Sequence, residues 1–378
     1  MDTNTDMTME PETKEMFPKP MLFIKPGVEK IRLILLAFAI LYTFGLHTAI
    51  GDIGGMVLGF AVPAMYIISG YLVLRESVNA EKRILFSIMR TAICFVIMFA
   101  LSVGLSIIAD KTYTLELLKT GAFWRDFLLL NMCKLPIGST VWYVQAMLYA
   151  YVIIYVIYKL RLLRFDILIA LICLAVTLVS GELSALVKFD CFGHAYVGGN
   201  FITRALPYIL IGNFIHRKRD FFGRIGLGWC IFIGIFGFAL SFGEYFGLRY
   251  LGKLTYTGHM LGMALVAISI CLIAFYMNGI ELRSYTLNTL NRFELMIPYY
   301  VCSPIYMLLV RFFSANQSKT LYQISRFIGP ITLICSFLLM YLYAIIRSLI
   351  SGRQPDDFKK YNTNVLAAQL EQENNDAE

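Results

Sequence analysis

Long apolar runs, each about 15 to 25 residues, alternate along this chain with short segments in which Lys, Arg, Asp, Asn and Gly collect. The runs fall near 32–50, 54–74, 86–109, 141–159, 166–187, 201–215, 226–246, 258–278, 295–313 and 328–350. In hydrocarbon the backbone must satisfy its own hydrogen bonds, so a crossing segment is either a helix or a strand of a closed barrel. Strands of a barrel would need only about 10 residues, with alternating polarity, whereas these runs have the length of helices. The pattern predicts an all-α, polytopic transmembrane helical bundle of about ten spans.

The polar segments orient the bundle. Residues 1–27 begin acidic (Asp2, Asp6, Glu10, Glu12, Glu15) and lack the basic-then-apolar order of a cleaved signal peptide, so they read as a disordered cytoplasmic tail. Lys25, Lys30 and Arg32 then gather at the first span. Arg75, Lys82 and Arg83, then Lys159, Arg161 and Arg164, then Arg217, Lys218, Arg219 and Arg224, then Arg283 and Arg292, fall on the same side if there are ten spans. Cytoplasmic loops carry the excess of Lys and Arg, so both termini are expected inside. Residues 353–378 read as a second cytoplasmic tail, leaving 28–352 as the membrane part. On the far side, Asp110 to Thr140 holds its own apolar patch (Phe123, Trp124, Phe127 to Leu130) and reads as an interfacial or re-entrant helix.

Composition adds exclusions. With 58% apolar and 15% charged residues, an ordinary soluble domain is excluded. The net charge of +8 resides in the alternate loops rather than in a basic stripe with interleaved aromatics, so no nucleic-acid partner is expected. The eight Cys are scattered singly, with no CxxC spacing, and read as small core residues. His194, His216 and His259 have no partner at metal-ligand spacing, so no metal is expected.

Chemistry is first sought between Arg32 and Leu74. His47, in Phe44-Gly45-Leu46-His47-Thr48, stands near the outer end of the first span, and an ionisable residue there is a functional-site hypothesis by default. Its ordinary pKa of about 6.5 would let it take a proton from a hydroxyl near neutral pH; the alternative is an interfacial His bonded to a loop carbonyl. Arg32 precedes it by fifteen residues, about 22 Å along a helix and about 60° around it. Arg32 either faces the same pocket or anchors the helix to phosphate head groups. In the second span Pro63, Ser69, Gly70 and Tyr71 form a run that either packs closely against another helix or receives a ligand. Arg75, Lys82, Arg83 and Arg90 follow, a cluster able to hold phosphates; three of the four also fit ordinary positive-inside charge, whereas Arg90 begins a span that continues without interruption. Trp142, Tyr143 and Gln145 open the fourth span, either as an aromatic belt or as pocket residues.

Taken in order, the helix ending in His47, Val62-Pro63 leading to Ser69-Gly70-Tyr71-Leu72, Arg90, Val141-Trp142-Tyr143-Val144, and Leu206-Pro207-Tyr208-Ile209-Leu210-Ile211-Gly212 resemble the integral-membrane acyltransferase-3 family. The resemblance covers roughly residues 28–350. It implies an enzyme of the plasma membrane that moves an acetyl or other short acyl group from cytoplasmic acyl-CoA, acetyl-CoA first among them, to a hydroxyl of a cell-envelope glycan or lipid-linked sugar. It further implies that His47 is the general base, and that Arg90, with Arg83 and Arg32, holds the donor. Ser69, Tyr71, Trp142, Gln145 and Tyr300 become candidates for the pocket or the acceptor site, Ser69 and Tyr71 also for an oxyanion donor. Two positions differ from the family pattern: its first-helix Arg corresponds to Leu36, one turn beyond Arg32, and Ser303 stands where many members have His. A second reading on the same scaffold is a non-catalytic exporter or flippase of a lipid-linked glycan.

Overall fold

The structure, a computed structural model, describes residues 26–44, 57–73, 80–138, 140–180, 200–252, 260–276, 294–315 and 327–351. Residues 1–25 of the expected first tail, all of the expected second tail, Arg75, His194, His259 and the candidate base His47 lie outside the described residues.

Among the described residues helix is the only regular structure, with no strand. The helices are α1 (Pro26–Phe44), α2 (Ala61–Val73), α3 (Ala80–Ala109), α4 (Lys111–Lys119), α5 (Gly121–Leu130) and α6 (Val141–Lys159). A 3₁₀ turn at Leu162–Phe165 leads into α7 (Asp166–Ser180), followed by α8 (Phe201–Arg204), α9 (Leu206–Arg217), α10 (Arg219–Phe222), α11 (Leu227–Tyr250), α12 (Leu261–Tyr276), α13 (Ile297–Ala315) and α14 (Ile328–Ser351). Among the described residues five segments are long and apolar enough to cross a membrane: 80–109, 141–159, 162–179, 227–250 and 328–350. The remaining apolar helices are shorter, among them Ile31–Phe44, Ala61–Val73, Leu261–Ala274 and Ile297–Phe313.

Length and position in the bundle are related. α2 has 13 residues, about 20 Å of helix against a hydrocarbon thickness of about 30 Å, so it cannot present a complete apolar cylinder to lipid. It is instead encased: α1, α9 and α12 pack around it, and Ala61, Val62, Ala64 through Gly70 are all buried. α9, with 12 residues, is buried from Leu206 through Asn213. Of the long helices, α6 is half buried and reaches the interior, whereas α3, α7, α11 and α14 form the periphery. α3 exposes Leu85, Met89, Ile93, Val96 and Leu101, and α11 exposes Phe232, Ile235 and Phe236, the surface expected to meet acyl chains.

The prolines fit this arrangement. Pro63 stands in the first turn of α2 and Pro207 in the first turn of α9, where the missing N–H has no intrahelical acceptor in any case. The second apolar run, 54–74, thus contains a helix start at Ala61. Pro304 lies inside α13 and cannot return a bond to the Tyr300 carbonyl.

The expected interfacial element is two helices. Asp110 caps α4 by accepting from the Tyr113 N–H at 3.0 Å, and Thr120 ends α4 and caps α5. α5 stops at Asn131, whose φ of 59° is the left-handed conformation that Asn tolerates at a helix C-terminus. Trp124 Nε1 donates to the Leu118 carbonyl at 2.8 Å, tying α5 to α4, while Phe123 and Phe127 are buried against Phe95 and Phe99 of α3. Gln145 reaches from α6 to donate to the Phe127 carbonyl at 2.6 Å. This side chain positions α5 against the mouth of α6.

Candidate active site

The Ser69-Gly70-Tyr71 and Leu206-to-Gly212 runs meet at one crossing. A Cβ on Gly70 would land on the Ile209 carbonyl and 2.8 Å from its Cα; one on Gly212 would land on the Ile67 carbonyl and 2.8 Å from the Tyr71 nitrogen. The two glycines let the backbones of α2 and α9 touch, as small residues do in membrane bundles. Both prolines and both glycines are thus accounted for by packing, and the side chains they carry into the interior remain to be explained.

Those side chains form a polar core lined by tyrosines. Tyr66 of α2 stacks on Tyr143 of α6 with ring centroids 4.7 Å apart, and its hydroxyl donates to the Tyr143 carbonyl at 3.3 Å. The Tyr143 ring meets Tyr299 of α13 edge-on at 5.3 Å. All three rings are fully buried. Arg32, only 8% exposed, enters from α1 and lies within electrostatic reach of Tyr143 and of Tyr300. Tyr300 in turn neighbours Cys94 of α3. Ser69 sits beside the Tyr143 hydroxyl, with its own O–H donated to the Met65 carbonyl at 2.8 Å.

Arg32 belongs to the buried stripe of α1 that runs through Leu35, Leu36, Ala39 and Ile40. Position along the chain allowed an anchor to head groups; burial places Arg32 in the interior instead. Leu36, one turn farther, is 1% exposed on the same stripe. A guanidinium at 32 therefore enters the same side of the bundle as one at 36 would.

Other sequence-predicted residues fall elsewhere. Arg83 and Arg90 are seven residues apart on α3, two turns and about 20° from eclipsing. Arg83 is half-buried and Arg90 exposed, its guanidinium 4.1 Å above the Phe86 ring. These two flank the buried stripe of Ile84, Thr91 and Met98 and do not share the environment of Arg32. Tyr71 meets His216 of α9 edge-on at 4.8 Å, below the glycine crossing. Trp142 carries the guanidinium of Arg204 at 5.4 Å from its ring centre. Ser303 is buried in α13.

Sequence reasoning missed Arg204, Tyr66, Tyr143 and Tyr299 as a group. Arg204 lies within electrostatic reach of Tyr42, Tyr66, Tyr208 and Tyr299, so a second cation serves the same tyrosine-lined core. The available signal was an Arg between apolar residues immediately before Leu206-Pro207-Tyr208, which charge patterning reads as a loop cation.

A further buried ion group braces the end of α9. The fully buried Asp166 accepts from Arg217 Nη2, from Asn213 Nδ2 at 2.7 Å and from the Ile167 N–H at 2.7 Å, and Arg217 Nη1 donates to the Leu163 carbonyl at 2.9 Å. Every oxygen of the carboxylate is engaged, which is the arrangement of a structural pair. Among the described residues no group of three or more His, Cys, Asp or Glu could hold a metal ion.

A short-helix centre sheathed by long apolar helices, with two arginines and a set of tyrosines facing inward, defines an integral-membrane protein with a polar interior site. The sequence profile of the family described as "Acyltransferase domain" (Acyl_transf_3) matches residues 29–353. The chain belongs to this acyltransferase-3 family and is an acyltransferase acting on groups other than aminoacyl groups. Searches of curated proteins and of solved structures returned no match.

Proposed function

We propose that this acyltransferase is an O-acyltransferase of the plasma membrane. It takes an acyl group, acetyl as the first choice, from cytoplasmic acyl-CoA and transfers it to a hydroxyl of a cell-envelope glycan or lipid-linked sugar. The chain crosses the membrane about ten times with both ends inside, a reading that the distribution of Lys and Arg supports. The observation that carries the reading is the burial of Arg32, within electrostatic reach of Tyr143 and Tyr300, in a chain matched to the family over 29–353. A cation in the membrane interior is costly and is retained where it meets a charged or polarised group. A thioester carbonyl under attack is such a group.

In this reading Arg83 and Arg90, reachable on the side of α3, hold CoA phosphates, and the acyl end extends towards Arg32. His47 follows the last residue of α1, Phe44, by three positions in the sequence; it removes the proton of the acceptor hydroxyl, which attacks the carbonyl. The test measures free CoA released from acetyl-CoA by the purified protein in liposomes, with and without a mixed pool of cell-envelope glycans. Release that needs the glycans and is abolished in His47→Ala, with the thermal midpoint unchanged, is the expected result. Full activity in His47→Ala would overturn the assignment of the base, and no release in the wild type would overturn the donor.

A further inference from the structure

The buried clasp at the end of α9 ties two basic segments together. Arg217, the last residue of α9, donates to the Leu163 carbonyl at 2.9 Å and to the Asp166 carboxylate. Arg164 stands one residue beyond Leu163 and Lys218 one beyond Arg217, so the clasp holds these two exposed cations at one edge of the bundle. Asp166 is fully buried and committed to Arg217, Asn213 and the Ile167 N–H, so its charge offsets that of Arg217 and not theirs. Arg161, in the left-handed conformation with φ 59°, and Arg224 are also exposed on the same two segments. Residues 160–165 and 217–226 together hold six Lys or Arg and one acid, Asp220.

Basic loops beside a span are ordinary, and charge alone would not name a partner. The apolar side chains among these cations do. Leu160, Phe165 and Phe221 are exposed, Phe221 by 65%, and the Arg164 guanidinium lies 4.7 Å over the Phe165 ring. From Phe165 the exposed apolar surface continues along α7 through Leu168, Ile172 and Val176, a spacing that keeps them on one helix face. A soluble phosphate compound would need the cations and make no use of that track, whereas a phospholipid presents a phosphate and an acyl chain side by side.

We infer that this edge is a binding site for an anionic phospholipid, its phosphate held by Arg164 and Lys218 and an acyl chain lying along Phe165, Leu168 and Ile172. A guanidinium offers a phosphate two parallel N–H donors, and the ammonium adds a point charge. Anionic rather than zwitterionic lipid is selected, because the excess positive charge repels the ammonium of a choline head group. The clasp fixes the spacing of the two segments before the lipid arrives, which lowers the ordering cost of binding. The site uses none of the residues assigned to the acyl donor or the acceptor, so it stands whether or not the O-acyltransferase reading holds.

The test follows the thermal midpoint of the full-length, delipidated protein in detergent as dioleoylphosphatidylglycerol or dioleoylphosphatidylcholine is added. A ligand that binds only the folded state raises the midpoint, so phosphatidylglycerol should raise it by at least about 2 °C and phosphatidylcholine by less than half as much. The double variant Arg164→Gln, Lys218→Gln should lose the phosphatidylglycerol shift, whereas Lys111→Gln, Lys119→Gln on α4, equally exposed cations, should keep it. Equal shifts with the two lipids, no shift in the wild type, or a full shift in the Arg164 and Lys218 variant would each overturn the site. CoA is the second probe. If the Arg164 and Lys218 variant loses a CoA shift that the wild type shows, the cations serve a soluble phosphate and the lipid assignment is overturned. Should that variant have a lowered midpoint before any lipid is added, Arg161→Gln, Arg224→Gln gives the same reading farther from the clasp: a diminished phosphatidylglycerol shift is expected, and an undiminished one would overturn the site.

Discussion

Gly70 and Gly212 are reciprocal: each occupies the place where the other helix's backbone needs to be. The Ile209 carbonyl covers Gly70 and the Ile67 carbonyl covers Gly212, so neither position has room for one more carbon. The contact brings α2 and α9 together at the centre of the bundle and fixes how Ser69 and Tyr71 stand relative to the interior.

Gly70→Ala and Gly212→Ala are therefore each expected to destabilise the protein by at least the about 1–3 kcal/mol of an overpacked core, because the obstruction is backbone and cannot rotate away. Gly104→Ala in α3 and Gly243→Ala in α11 meet nothing within 4 Å. These two should hold or raise the thermal midpoint, since Ala is the better helix former by about 0.5–1 kcal/mol. Thermal midpoints of the four variants in detergent check the contrast.

Arg32 is a buried cation. Removing one member of a buried polar set leaves the groups around it unsatisfied, so Arg32→Met should lower the thermal midpoint. If Arg32 meets the reacting carbonyl, CoA release should fall at least about 10-fold. Arg32→Lys keeps the charge without the planar fork and should lose less. Equal activity in Arg32→Met and wild type would remove Arg32 from the site.

Asp126 in the α4–α5 hairpin gives a pH signature. Lys134 Nζ at 2.6 Å and Arg125 Nη2 at 2.9 Å hold its carboxyl below the ordinary carboxylate range, the lysine bond being the larger cause. A depressed pKa contributes stability above the ordinary value of about 3.9 and loses it as pH falls through the lowered one. The midpoint difference between wild type and Asp126→Asn should be constant from about pH 8 to 5 and close only in stronger acid. A difference that closes near neutral pH would contradict the assignment.

The sequence by itself determined the class of protein. Apolar runs of helical length leave no alternative to a helical membrane bundle, because hydrocarbon offers the backbone no partners. The order of short motifs around Ser69-Gly70-Tyr71, Arg90, Trp142-Tyr143 and Leu206 to Gly212 was enough to indicate the family. Arg83, Arg90 and Arg32 could be singled out, but not sorted, since a cation near a span end looks the same in sequence whether it enters the core, as Arg32 does, or lies along an exposed face over Phe86, as Arg90 does.

Only the tertiary structure decided which helices form the centre. α2, and α9 up to Gly212, are apolar on all sides, as are the peripheral helices, so no amphipathic stripe distinguishes a helix surrounded by protein from one surrounded by lipid. The tyrosine-lined core was hidden for the same reason. Tyr66, Tyr143 and Tyr299 lie on three helices far apart in the chain, and each alone reads as a belt or packing aromatic. Their meeting follows from how the bundle closes around the Gly70–Gly212 contact, a property of the packed chain and not of any segment of it.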